Sequence, residues 1–106
     1  MVYCVADEDD IIEAATLAKV GNQCMQMRGV NACFVIGKTG VNEIRISCRS
    51  DGSVNVQLLA EKLNGGGHFT QAAVTFKNMS MDNVESKLLD VLNEYLSDAR
   101  NDSEKK

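Results

Sequence analysis

Hydrophobic positions along this chain follow two different periods, and the switching between them lays out a series of elements. Met1-Val2-Tyr3-Cys4-Val5-Ala6 is apolar and β-prone, so the chain opens on an extended segment, as a piece of a longer protein would. From Ile11 to about Arg28 the spacing is helical, with Ile11, Ala14, Ala15, Ala18 and Met25 on one stripe and Gly29 as a stop. Asp10 with Glu13 reads as an N-cap and capping-box pair for that helix, and the other acids of the Asp7–Asp10 run suit its positive end. Ala32-Cys33-Phe34-Val35-Ile36 is a continuous apolar run of the kind that forms a strand buried on both faces. After turn chemistry at Lys38–Asn42 the pattern alternates: Ile44, Ile46 and Cys48 on one face, Glu43, Arg45, Ser47 and Arg49 on the other.

Further along, Val56, Leu59, Ala60 and Leu63 fall on one stripe of a short helix with Asn55 as its N-cap. Asn64 and three glycines follow as a turn, then Ala72–Phe76 as a strand. A last helix, capped by Ser80, is predicted from Met81 to about Leu96, with Val84, Leu88, Val91, Leu92 and Tyr95 facing the core. This order predicts an α/β fold: a single domain over residues 1–97, with a small mixed β-sheet of about four strands covered by helices. Residues 98–106 are polar and patternless, and are expected to be a frayed tail.

Two places depart from what packing alone would select. Gly65-Gly66-Gly67-His68 sets the chain's one histidine behind three successive glycines, with Ala72-Ala73 shortly after. Glycine raises the entropic cost of ordering the backbone, so such a run marks either unusual backbone angles or close approach to a neighbour or ligand. An ordinary turn past a helix end, followed by an incidental surface histidine, is the alternative. On the alternating strand, Arg45, Ser47 and Arg49 emerge on one side with Ser50 just beyond. A guanidinium beside a hydroxyl at a strand end suits a phosphate, while a solvated outer hairpin face is the competing reading.

Composition narrows the options. The chain of 106 residues has a net charge of −4, which argues against a surface that coats nucleic acid but leaves room for one small positive pocket. Cys4, Cys24, Cys33 and Cys48 stand singly in apolar stretches, with no C-x-x-C pair and no second histidine to complete a zinc set. They read as buried thiols in a reducing compartment.

Phe34-Val35-Ile36-Gly37, Ile46-Ser47-Cys48-Arg49-Ser50, Asn55-Val56-Gln57 and Glu61-Lys62-Leu63-Asn64-Gly65-Gly66-Gly67-His68 occur in one order at compatible spacings. Together they resemble the DHH-associated domain, the C-terminal lobe of DHH-family phosphoesterases, and within it the lobe of Gram-positive cyclic-di-AMP phosphodiesterases. That family often has a fourth glycine where this chain has Asn64; asparagine tolerates left-handed backbone, so the turn is expected to survive.

The resemblance implies a division of labour. A separate N-terminal lobe, the DHH catalytic lobe of the same parent chain, would carry an Asp-His-His motif and two manganese ions. This lobe would grip a dinucleotide or short oligonucleotide phosphodiester substrate. Arg49, Ser50, Gly65, Gly66, Gly67 and His68 are the substrate-binding candidates that follow. No catalytic residue and no metal ligand is assigned in this fragment, which has one histidine and no Asp-His-His. The fragment alone is therefore expected to be inactive and to bind no cofactor.

The resemblance further implies a cytoplasmic domain without direct membrane contact, in a parent that could be anchored in the bacterial membrane. Two other classes stay open. One is a non-catalytic nucleic-acid-binding module, which the acidic charge and the lack of stacking aromatics disfavour, Phe69 being the single candidate and expected to be buried. The other is a structural module that pairs with another chain, including a second copy of itself, through the last helix.

Overall fold

A computed structural model describes the backbone of residues 1–7 and 9–104 and side chains as far as Asp98. In chain order the elements are β1 (Val2–Val5), α1 (Ala14–Cys24), β2 (Ala32–Gly40), β3 (Glu43–Ser50), α2 (Val56–Lys62), β4 (Gly66–His68), β5 (Gln71–Lys77) and α3 (Met81–Glu104). The strands form one mixed five-stranded sheet of order β1-β2-β3-β5-β4, so the α/β architecture stands with one strand more than expected. The added strand is β4, which the glycine run disguised as a turn. Its Gly66, Gly67 and His68 pair with Ala73, Ala72 and Gln71.

β1 runs parallel to β2, which requires the α1 crossover between them, and every other pairing is antiparallel. Residues 32–37 are buried on both faces, as their unbroken apolar run predicts. One face of the sheet carries Phe34, Ile36, Ile44, Ile46, Cys48, Ala72 and Val74 against α2 and α3. That main core is closed by Val56, Leu59 and Ala60 from α2 and by Val84, Leu88, Val91 and Leu92 from α3. The other face is only half covered: α1 lays Leu17 and Cys24 over Cys33 and Val35. α1 also reaches over part of β3, and among the described residues no other helix covers this face toward β5 and β4.

The caps of α2 and α3 form as expected, with the Asn55 side chain accepting from the Leu58 amide at 3.1 Å and Ser80 from the Asn83 amide at 3.1 Å. Four expectations are corrected. α1 starts at Ala14, with Glu13 at the N-cap and no side-chain cap bond, so Asp10 and Glu13 form no capping box. Instead Ile11 bridges Lys38 in parallel and the Ile12 amide reaches the Lys38 carbonyl at 2.7 Å, which extends the chain and delays the helix. The buried stripe of α1 is Leu17, Gly21 and Cys24; Ala14 and Ala15 face outward because the large Leu17, not the alanines, finds the sheet. Cys4 is exposed rather than buried, since β1 is an edge strand, while Cys24, Cys33 and Cys48 are buried.

Fourth, α3 continues to Glu104, past the helix end expected near Leu96. The chain has no proline, and no glycine after Gly67, so nothing breaks the helical ladder there. Lys105 and Lys106 lie outside the described residues. Among the described residues no helix is long and apolar enough to cross a membrane.

Candidate functional site

The half of the sheet that α1 leaves open holds a groove of about 430 Å³. Its floor is Arg45, Ser47 and Arg49 of β3 with Gln71 and Ala73 of β5; one wall is Ala14 and Ala18 of α1, and the other is Gly66, Gly67 and His68 of β4. Register explains the convergence. Arg45, Ser47 and Arg49 stand opposite Thr75, Ala73 and Gln71, and Gly66 and His68 stand opposite Ala73 and Gln71, so all share one face. The small Ala14, Ala18 and Ala73 keep the space between the walls open.

Arg49 is only 8% exposed, an unusual placement for a guanidinium on the open side of a sheet. Its Nε donates to Asn22 Oδ1 at 2.9 Å and one terminal nitrogen donates to the Cys48 carbonyl at 2.8 Å. The stem crosses α1 at Gly21, where an added Cβ would stand 3.2 Å from Arg49 Cγ. Gly21 therefore weakens the helix in order to admit the arginine. Burial pushes the Arg49 pKa down from its ordinary value, although an arginine stays charged in proteins. Among the described residues no carboxylate lies within ion-pair distance of it. Beside it Ser47 is 3% exposed and its Oγ has no hydrogen-bond partner. Arg45 reaches Thr75 Oγ1 across the strands at 3.4 Å.

The glycines divide by position. α2 ends at Lys62, and Asn64 reverses the chain in left-handed geometry at φ 64°, so asparagine does serve where a further glycine could have stood. Gly65 donates its amide to the Ala60 carbonyl at 2.8 Å, and a Cβ there would collide with the Ala73 carbonyl oxygen. Gly67 has φ 150° and lies so close to β5 that a Cβ would stand 2.5 Å from Ala72 Cα. At Gly66 an added Cβ would meet open space, and its φ is not positive. Folding requires glycine at 65 and 67, and leaves the one at 66 unexplained.

The groove gathers Arg49, Gly66, Gly67 and His68 from the sequence-predicted set. Gly65 supports it from beneath and does not line it. Ser50 does not line the groove: it points to the opposite side of β3, and its hydroxyl is spent on the following turn. There it donates to the Val54 carbonyl at 2.7 Å and accepts from the Gly52 amide at 3.0 Å. Phe69 is a correction, being 47% exposed at the tip of the β4–β5 hairpin. The tip is fixed through its backbone, by Val56 N–H to the Phe69 carbonyl and Ser50 N–H to the Thr70 carbonyl, each at 3.0 Å, so the ring is not needed for packing.

Sequence reasoning missed Ala14, Ala18 and Gln71 as groove residues. The signal for the first two was Leu17-Gly21-Cys24, a competing helical stripe that puts the alanines on the helix flank.

A larger hollow of about 570 Å³ lies at the other end of the sheet, between the β2–β3 turn and the start of α3. Its charged lining is mixed, Lys38 against Asp9 and Glu43, and it holds none of the residues singled out by sequence. The smaller groove is the candidate site because it concentrates charge of one sign. The groove's donors do not suit manganese: arginines, a hydroxyl, an amide and one imidazole, with no carboxylate, are not a hard divalent ion's ligands.

The domain is thus a mixed sheet with helices on both faces and a cationic, half-open face beside a glycine strand. The DHHA1 domain family matches residues 1–98, and the chain belongs to that family. It is 36% identical over 89 residues to the cyclic-di-AMP phosphodiesterase GdpP of Geobacillus thermodenitrificans, a match covering 84% of this chain and 14% of that protein. The cyclic-di-AMP phosphodiesterase PdeA of Listeria monocytogenes is 35% identical over 95 residues, 90% of this chain and 14% of its own. The bifunctional oligoribonuclease and PAP phosphatase NrnA of Thermus thermophilus is 38% identical over 56 residues, 53% of this chain and 17% of its own. The chain thus spans about 14% of the length of the cyclic-di-AMP phosphodiesterases it matches.

Proposed function

We propose that this domain is the substrate-gripping lobe of a phosphodiesterase acting on cyclic-di-AMP or a short linear dinucleotide. The observation that carries this reading is the groove's composition. In a chain of net charge −4, Arg45, Arg49 and His68 converge on one groove whose lining holds no carboxylate. Arg49 keeps donor capacity beyond its two internal bonds, and a phosphodiester is the acceptor that best matches a guanidinium fork. Ser47, buried without a partner, supplies a hydroxyl at the same floor. Gly66 lets phosphate or base lie against the strand without a side chain between them.

Hydrolysis itself belongs to a different lobe in this reading. Two manganese ions held there would activate water, while the residues of this chain bind and orient the ester. Here His68 acts as a hydrogen-bond donor to substrate. The parent enzyme would present this lobe to the cytoplasm, with any membrane anchor in its other segments.

A second reading, short oligonucleotides as substrate, is favoured by Phe69, whose exposed ring next to His68 could stack on a base.

The test is calorimetric titration of the 106-residue chain with cyclic-di-AMP and with its linear product, followed by a hydrolysis assay with manganese. Saturable binding without turnover is expected. Turnover by the isolated chain would overturn the division of labour, and absence of binding to both ligands would overturn the groove. A preference for longer strands, lost in Phe69→Ala, would favour the second reading.

A further inference from the structure

The fold gathers three of the four cysteines, although their spacing in sequence has no metal-binding pattern. Cys4 on β1, Cys24 at the end of α1 and Cys33 on β2 bring their three sulfur atoms within 4.8 Å of one another. The fourth, Cys48, faces the main core on the other side of the sheet. The topology makes the cluster. β1 and β2 are parallel neighbours with Val2 opposite Cys33 and Cys4 opposite Val35, so Cys4 and Cys33 rise from the same face. The last turn of α1 then sets Cys24 down onto that face, among Leu17 and Val35.

We propose that Cys4, Cys24 and Cys33 form a binding site for one thiophilic d10 cation, Zn²⁺ or Cu⁺ by chemistry. A metal about 2.3 Å from each sulfur needs the sulfurs roughly 3.8–4.0 Å apart, and the three already lie within 4.8 Å of one another without it. The donors are sulfur alone, and Met25 packs against the same cluster, which selects soft ions over magnesium or manganese. Cys24 and Cys33 are buried while Cys4 is exposed, so the site has rigid inner ligands and an entry side open to solvent. Each ligating thiol gives its proton to the solvent, so a divalent ion with three thiolates leaves a single net negative charge, facing water at Cys4. Bound metal would tie β1, α1 and β2 together at one point.

The experiment is an anaerobic titration of the fully reduced 106-residue chain with Cd²⁺, Zn²⁺ and Cu⁺, each against a competing chromophoric chelator. Uptake of one equivalent is expected, with a sulfur-to-metal ultraviolet band for Cd²⁺ and a higher melting temperature. Comparison of Zn²⁺ with Cu⁺ identifies the preferred ion. Cys4→Ser, at an exposed position that should not disturb folding, should weaken binding by at least about tenfold and remove about a third of the Cd²⁺ band. Equal affinity in Cys4→Ser and the parent chain would overturn the site. So would a reduced chain that takes up no metal; loss of two hydrogens by mass in air would then make the cluster a disulfide pair.

Discussion

The two faces of β3 are built from opposite chemistry, although both carry buried side chains. Ile44, Ile46 and Cys48 enter the main core, where Ile46 is 0% exposed among other buried apolar side chains. Ser47 and Arg49 on the reverse side are 3% and 8% exposed, but they carry a hydroxyl without a partner and a guanidinium without a carboxylate. Burying such groups costs free energy that the apolar face does not spend. Open space lies before the polar face and none before the apolar one. The comparison separates residues that hold the sheet from residues kept there at the fold's expense, and mutations should divide along that line.

The largest expected effect is on the apolar face. Ile46→Ala should destabilise the domain by about 2–5 kcal/mol, because a fully buried branched side chain leaves a cavity behind. Chemical denaturation measures this loss, and ligand affinity of the remaining folded fraction should be unchanged. Arg49→Ala should show both kinds of loss. Its bonds to Asn22 and to the Cys48 carbonyl, and its packing on Gly21, imply a stability cost of about 1–3 kcal/mol. Dinucleotide affinity should fall by roughly tenfold or more as a charged contact disappears. Arg49→Lys should recover part of the binding, since a point charge cannot reproduce the fork. Unchanged affinity in a folded Arg49→Ala chain would make the arginine structural and break the comparison.

Ser47→Ala sharpens it from the other direction. Removing a buried, unpartnered hydroxyl should leave stability unchanged or raise it by about 1 kcal/mol, against the usual sign of a core mutation. Affinity should fall at the same time. A clear loss of stability with normal binding would show that the hydroxyl serves the fold.

Most of this architecture was legible because periodicity reports which face is apolar. The β2 run, the alternation of β3 and the stripes of α2 and α3 all found their expected partners. The open groove was half legible: alternation put Arg45, Ser47 and Arg49 on one side, but their burial depends on α1, whose start the pattern misplaced. Alanines fit a core stripe and a groove wall equally well, so only the competing Leu17-Gly21-Cys24 stripe could have placed Ala14 and Ala18 on the flank. Ser50 stands apart from the groove because its hydroxyl bonds Val54 and Gly52, contacts that form only once the chain turns back over the strand end. The thiol triangle could not be read at all, since its members come from three elements joined only by the parallel crossover.

The smallest effect on stability, and the sharpest division, should come from Gly66 of β4 set against its neighbour Gly67. Gly66 and Gly67 are adjacent, and both line the groove. Gly67→Ala meets Ala72 Cα and the Gln71 carbonyl oxygen at 2.5 Å each from a backbone at φ 150°, so it should unfold the β4–β5 pairing or shift it. Gly66→Ala meets nothing and needs no positive φ. Its main consequence for folding is a less flexible unfolded chain, so stability should be unchanged or rise by up to about 1 kcal/mol. If the groove binds a phosphodiester against this strand, the added methyl occupies ligand space and affinity should fall, although the domain is as stable as before. Thermal unfolding and dinucleotide titration on the same sample separate the two effects. Unchanged affinity in Gly66→Ala would leave that glycine without a role in binding, and the grip would then rest on the side chains of Arg45, Ser47, Arg49 and His68.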